Sequence, residues 1–169
     1  RLHITGLYTS AEENTSAYPN LGMARANSVK NYLKEKGMKG RFMQIFGQLD
    51  DQLAIDGTMY NGPIRYDIIS KNEEKDDQAE LTALRAKIQA DPLILNFANA
   101  QTSINLTEAQ RQKVADIARY LDKAEGAMAM VTGHTDNTGS RAGNVNISLK
   151  RANFAKNYLV QNGITAAQI

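Results

Sequence analysis

The chain matches itself, and this limits its fold more than any other property. Arg25-Ala26-Asn27-Ser28-Val29-Lys30-Asn31-Tyr32-Leu33 lines up with Arg151-Ala152-Asn153-Phe154-Ala155-Lys156-Asn157-Tyr158-Leu159 at an offset of 126 residues, and the register holds to Gly37 and Gly163. Upstream, Ile4-Thr5-Gly6 lines up with Val131-Thr132-Gly133 at an offset of 127, so the intervening loop is one residue longer in the first copy. A period this long means two related units rather than a solenoid of short repeats.

Each copy reads as strand, polar loop and amphipathic helix. In the second, Ala127 to Thr132 is an apolar run suited to a buried strand, with Met128 and Met130 expected in the core. Gly133 to Gly143 is rich in turn formers, Asn144 is the expected N-cap, and Gly163 is the residue just past the helix end. Ahead lies another helix, opened by Thr107 and Gln110 at capping-box spacing, with Val114, Ile117, Ala118 and Leu121 on one face, and closed by Gly126. Leu93 to Phe97, after Asp91-Pro92, is a further expected strand, giving a βαβ order. In the first copy the helix spans about Asn20 to Lys36, with strands at Phe42 to Phe46 and at Ile64 to Ile69, where Ile64, Tyr66 and Ile68 alternate with polar residues. Asn72 to Glu80 reads as a charged, solvated connector, followed by a short helix with Leu81, Leu84 and Ile88 on one face.

The expected architecture is an α+β or mixed α/β sandwich of three parts: a degenerate unit at 1–70, a connector with a short helix at 71–92, and a second unit at 93–169. The second unit's last strand is expected beyond Ile169, in a soluble piece of a longer protein.

Composition narrows the function. A net charge of +2 is far from the basic field of a dedicated nucleic-acid binder. No run approaches the ~20 apolar residues that span a bilayer. The chain has no Cys, which excludes disulfides, thiol catalysis and Cys-ligated zinc. The two histidines, His3 and His134, have no second ligand at i+4, and Asp50, Asp51 and Asp56 lack calcium-loop spacing. No metal or other cofactor is expected. A Ser-His-Asp array of Ser140, His134 and Asp136 inside one short loop does not provide triad geometry, so an enzyme is not expected.

One residue is out of place. On a helical wheel Ile147, Phe154, Ala155 and Tyr158 form one apolar stripe, and Arg151 falls inside it. A guanidinium there needs an anion, all the more so near a helix start, where the dipole disfavours a cation. Asp136 in the preceding loop is one candidate, as a structural ion pair. A bound carboxylate is the other, with Asp136 free to take an ammonium, which suits an amino-acid ligand.

Gly133-His134-Thr135-Asp136-Asn137-Thr138-Gly139, then Asn144, Ile147-Ser148 and Arg151-Ala152, with Tyr158-Leu159 and Gly163-Ile164 behind, resembles the OmpA C-terminal-like peptidoglycan-binding domain family. The resemblance covers about Leu93 to Ile169, and Leu2 to Leu49 in outline. It implies a βαβαβ domain in the Gram-negative periplasm that holds the cell wall non-covalently and anchors an outer-membrane protein to it. It also implies that Asp136 and Arg151 take the amino and carboxylate groups of diaminopimelate in the peptide stem, with Asn144 at the motif Asn and Thr138 beside it. Where the family's first strand often ends in Phe-Asp with an Asn two residues on, this chain has Phe97-Ala98-Asn99-Ala100, and Asn99 is the nearest polar substitute.

The first copy keeps Arg25 but has Thr9 in place of Asp136, so it reads as a degenerate copy in which Arg25 pairs with another acid, Glu13 being the expected one. The competing reading is a periplasmic protein-interaction or scaffold module without wall binding, with Tyr8, Tyr18, Tyr60 and Tyr66 as its surface.

Overall fold

A computed structural model describes residues 1–53, 62–69 and 78–169 in full, and the backbone of 55–56, 59–60 and 74–77. Residues 71–73 of the expected connector, and the side chains of Asp56 and Tyr60, lie outside the described residues.

The first half is built on strand β1 (Leu2–Tyr8), helix α1 (Leu21–Glu35) and strand β2 (Met43–Leu49). β2 runs parallel to β1, with Leu2 opposite Met43 and Tyr8 opposite Leu49. A small hairpin, β3 (Ile55–Asp56) with β4 (Met59–Tyr60), precedes β5 (Ile64–Ile68). β5 lies antiparallel on the other edge of β1, with Leu2 opposite Ile68 and Gly6 opposite Ile64, so the sheet order is β2-β1-β5. The central strand carries the fully buried Ile4 and Leu7, as a strand paired on both sides and covered by a helix should.

α1 starts at the N-cap Asn20, whose side chain accepts from Met23 N at 2.8 Å, and stops at Gly37 with φ +93°. It lays Ala26 on Ile4 and Met43 to form a small core. Strand and helix approach so closely that a Cβ on Gly6 would stand 1.9 Å from Gly22 O. Gly133 stands in the same relation to Ser148, again with 1.9 Å between an added Cβ and the carbonyl oxygen.

The second half is helical: α2 (Glu74–Ala90), α3 (Glu108–Lys123) and α4 (Arg141–Gln161). α3 opens with the expected capping box of Thr107 and Gln110. α2 begins inside what the sequence suggested was a solvated connector and has 17 residues rather than a few turns. Its partners on α3 explain this. Leu84 is buried, Glu80 pairs with Arg119 and Lys123, and Lys87 Nζ donates to Asp116 Oδ2 at 2.7 Å. Burial shifts the Lys123 ammonium downward, and the Glu80 carboxylate opposes the shift.

Two expectations fail here. Neither Leu93–Phe97 nor Ala127–Thr132 joins a ladder among the described residues, although burial alternates residue by residue along both. Leu93, Leu95, Ala127, Ala129 and Val131 pack onto the core of Leu106, Val114, Leu121, Leu159 and Ile164. With the odd-numbered residues facing the helices, Met128 and Met130 point outward and are 70% and 93% exposed, rather than in the core. The period-two pattern is present, but among the described residues no strand is paired alongside to turn it into a sheet.

The halves are joined by the loop before α1 and by a buried ion pair. Arg111 Nη1 donates to Ser16 O at 3.1 Å, and Tyr158 Oη donates to Ala17 O at 3.0 Å. Tyr18 is buried and its hydroxyl donates to Gln161 O at 3.4 Å, so it belongs to packing, whereas Tyr66 is exposed. Lys30, buried on α1, pairs with Asp122 on α3, and burial draws its ammonium below the ordinary lysine value. No helix among the described residues is long and apolar enough to cross a membrane.

Candidate ligand site around Arg151

The loop from Gly133 to Ser140 is shaped by its own side chains. Asp136 Oδ1 accepts from Thr138 N at 3.3 Å and from Thr138 Oγ1 at 2.7 Å, a local turn that Asx residues favour. Gly139 adopts φ +88°, and Ser140 then caps α4 by accepting from Gly143 N at 3.1 Å. The N-cap is therefore Ser140, not Asn144. Both residues are good caps, but the helix starts at Arg141 and leaves Asn144 within its first turn. There Asn144 Nδ2 donates to Asp136 O at 3.2 Å and ties the loop to the helix. Thr138 and Asn144 thus brace Asp136, whose side chain remains exposed.

Arg151 stands on the half-buried face of α4 and satisfies itself in a way the sequence did not suggest. Nε donates to Gln101 O at 3.0 Å, Nη1 to His134 O at 2.9 Å and Nη2 to Ala98 O at 3.2 Å. Its guanidinium carbon lies 5.2 Å from the centre of the Phe97 ring, and Phe97 meets Phe154 edge-on at 5.7 Å. Ala100, at φ +58°, closes the tight turn that presents the two carbonyls, and Gln101 N donates back to Ala98 O at 3.0 Å. Among the described residues Arg151 forms no ion pair. Asp136 and Arg151 line one open cleft but do not bond to each other. A guanidinium has five N–H donors, and three are used here. One N–H remains on each terminal nitrogen, the number a bidentate carboxylate takes.

Asn99 is exposed at the tip of the same turn. Its neighbours' main-chain oxygens, rather than its side chain, reach Arg151. Those carbonyls left no trace in the sequence, because any residue supplies one. Phe97 was legible as the strand-end Phe of the resemblance, but not as the ring beside Arg151.

Arg25 offers an internal comparison. Its Nη1 donates to Leu7 O at 2.6 Å, as that of Arg151 does to His134 O, 127 residues further on. Here, however, a carboxylate is present, from Glu12 rather than the expected Glu13. Glu12 Oε1 pairs with Arg25 Nη2, and Oε2 accepts from Arg25 Nη1 at 3.2 Å, Thr9 N at 2.9 Å and Thr9 Oγ1 at 3.4 Å. The turn in which Glu12 N donates to Thr9 O, at 3.3 Å, swings this acid back over Thr9. The Arg25 hydrogen bonds hold the Glu12 carboxyl below the ordinary glutamate value, with burial opposing.

The cleft that Asp136 and Arg151 share has a volume of about 1180 Å³ and runs between the 93–97 and 127–136 segments above α3 and α4.

Residues 97–169 match the OmpA family. The chain is also similar to Outer membrane protein Omp38 of Acinetobacter baumannii, in two strains, with 41% identity over 56 residues. That alignment covers 33% of this chain and 16% of the Omp38 length. No solved structure matches the chain significantly.

Proposed function

We propose that residues 97–169, the part of the chain that matches the OmpA family, bind peptidoglycan non-covalently and so anchor a periplasmic outer-membrane assembly to the cell wall, without catalysis. Arg151 takes the carboxylate and Asp136 the ammonium of diaminopimelate in the peptide stem. Asn144 and Thr138 hold the loop in shape, and the turn carrying Asn99 forms the rim. The observation that carries this reading is the state of Arg151. It is an anchored guanidinium with two N–H groups to spare and, among the described residues, no acid of its own, on a cleft it shares with an exposed carboxylate.

The first half supports the reading by contrast. We read 1–70 as a degenerate copy of 93–169 that has filled its own site. The glycine contacts at Gly6 and Gly133 and the carbonyl contacts of Arg25 and Arg151 favour this, with Glu12 lying where a ligand carboxylate would lie.

One fork and a few further hydrogen bonds, each worth about 1–3 kcal/mol net, give weak binding per site, so firm attachment comes from many copies on one polymer. The test is pull-down by purified sacculi. Asp136→Ala and Arg151→Ala should each abolish it with the circular-dichroism spectrum unchanged, and Glu12→Gln should leave it intact. Retention of both cleft variants on sacculi would overturn the clamp.

A further inference from the structure

We infer that the turn at 98–101 is the positioning element of the ligand site: it takes one edge of the Arg151 guanidinium, leaves the end edge to an incoming carboxylate, and depends on Ala100 to do so. The inference rests on the proposed function, since it concerns how the acid of the ligand reaches Arg151. A planar guanidinium offers an acid two edges, a side edge formed by Nε with Nη2 and an end edge formed by the two terminal nitrogens. Arg151 Nε donates to Gln101 O at 3.0 Å and Nη2 to Ala98 O at 3.2 Å, so one turn occupies the side edge. The Phe97 ring, 5.2 Å from the guanidinium carbon, covers one face. What is left to a ligand is the end edge.

The first half has that edge in use. Glu12 meets Arg25 through Nη1, at 3.2 Å, and through Nη2, which is an end-on approach. Arg25 Nη1 also donates to Leu7 O at 2.6 Å, so a main-chain oxygen and an end-on acid share that nitrogen without excluding each other. His134 O takes Arg151 Nη1 in the same way, at 2.9 Å. A carboxylate on Arg151 should therefore lie end-on, as Glu12 lies on Arg25.

Ala100 makes the turn possible. At φ +58° it stands in the left-handed region, which is unfavourable for a residue with a Cβ and which glycine and asparagine enter more readily. Among the described residues it is the only non-glycine with a positive φ. Gln101 N donates to Ala98 O at 3.0 Å across the turn, so that oxygen serves both the turn and Arg151. An exposed residue held in a disfavoured conformation, beside the side chain on which the site depends, is a place where backbone strain serves function. Ala100 is thus a positioning residue that acts through Arg151.

The test compares the whole chain with three variants: Ala100→Gly and Ala100→Asn, which accept a positive φ, and Ala100→Val, whose branched side chain does not. Ala100 is exposed, so none of them disturbs the core. The first readout is the Arg151 Nε–H signal in heteronuclear NMR spectra of the ligand-free proteins, identified by its absence from Arg151→Lys. That proton should exchange with solvent at least tenfold faster in Ala100→Val than in the unaltered chain, and stay slow in the glycine and asparagine variants. The second is titration with a diaminopimelate-containing stem peptide, which should bind Ala100→Val at least tenfold more weakly and the other two within about twofold of the unaltered chain. Equal exchange in all four proteins would overturn the inference. A peptide that binds all four alike would also overturn it and leave the proposed function standing, whereas a peptide that binds none would overturn both.

Discussion

Glu12 spans both terminal nitrogens of Arg25, while Arg151, which holds the matching main-chain carbonyl, faces a cleft with no acid among the described residues on its guanidinium. The two arginines differ in what answers their charge, and on the proposed function this is the difference between a closed site and an open one. Four measurements probe it and the frame around it.

Acid should loosen the first half through Glu12. Its folded value is depressed, so its contribution is fully present above the unfolded glutamate value of about 4.3 and is lost as pH falls from there through the folded value. Glu12→Gln should cost about 1–3 kcal/mol at neutral pH and flatten the acid limb of stability against pH. Urea melts of both proteins between pH 3 and 7 measure this, and parallel acid limbs would contradict it.

Arg151→Lys should keep the charge and lose the fork, since an ammonium cannot hold three carbonyls and a bidentate acid in one plane. Titration with a diaminopimelate-containing stem peptide should show at least a tenfold weaker association. Equal affinity for the two proteins would remove the fork from the mechanism.

Gly133→Ala and Gly6→Ala should destabilise to a similar degree. The added methyl meets a helix carbonyl at 1.9 Å in each, a contact only backbone movement can relieve. A cost of about 3 kcal/mol or more is expected for either, read from chemical denaturation. A loss under about 1 kcal/mol at either position would show that strand and helix can part there cheaply.

Asp122→Leu should cost about 3–5 kcal/mol, because it leaves the Lys30 ammonium buried without its acid, whereas the double variant Lys30→Met, Asp122→Leu should recover much of that loss. A double-mutant cycle on thermal unfolding decides, and additive losses would mean the pair is not coupled.

What was legible in the sequence was local. Asn20, Gly37, Thr107 and Gln110 set helix ends through bonds to their own neighbours, and all four were readable. The α4 cap was misplaced by a turn because Ser140 and Asn144 are equally apt, and the choice depended on where Ser140 Oγ meets Gly143 N. The period of 93–97 and 127–132 was visible, but its phase was not. Which alternate residues face the helices depends on packing, which is why Met128 and Met130 went to the wrong side. At the site, Arg151 announced itself as a cation on an apolar face. Its partners did not, because three of them are main-chain oxygens from two loops brought in by tertiary contact.

The Tyr158 hydroxyl fastens α4 to Ala17 two turns beyond Arg151 on the same helix, and Arg111 fastens α3 to the adjacent Ser16. If Arg151 holds a ligand as proposed, a pull on it would act on α4, and these two hydrogen bonds would carry part of that pull into the first half. On that reading the first half would serve as a mechanical footing for the cleft.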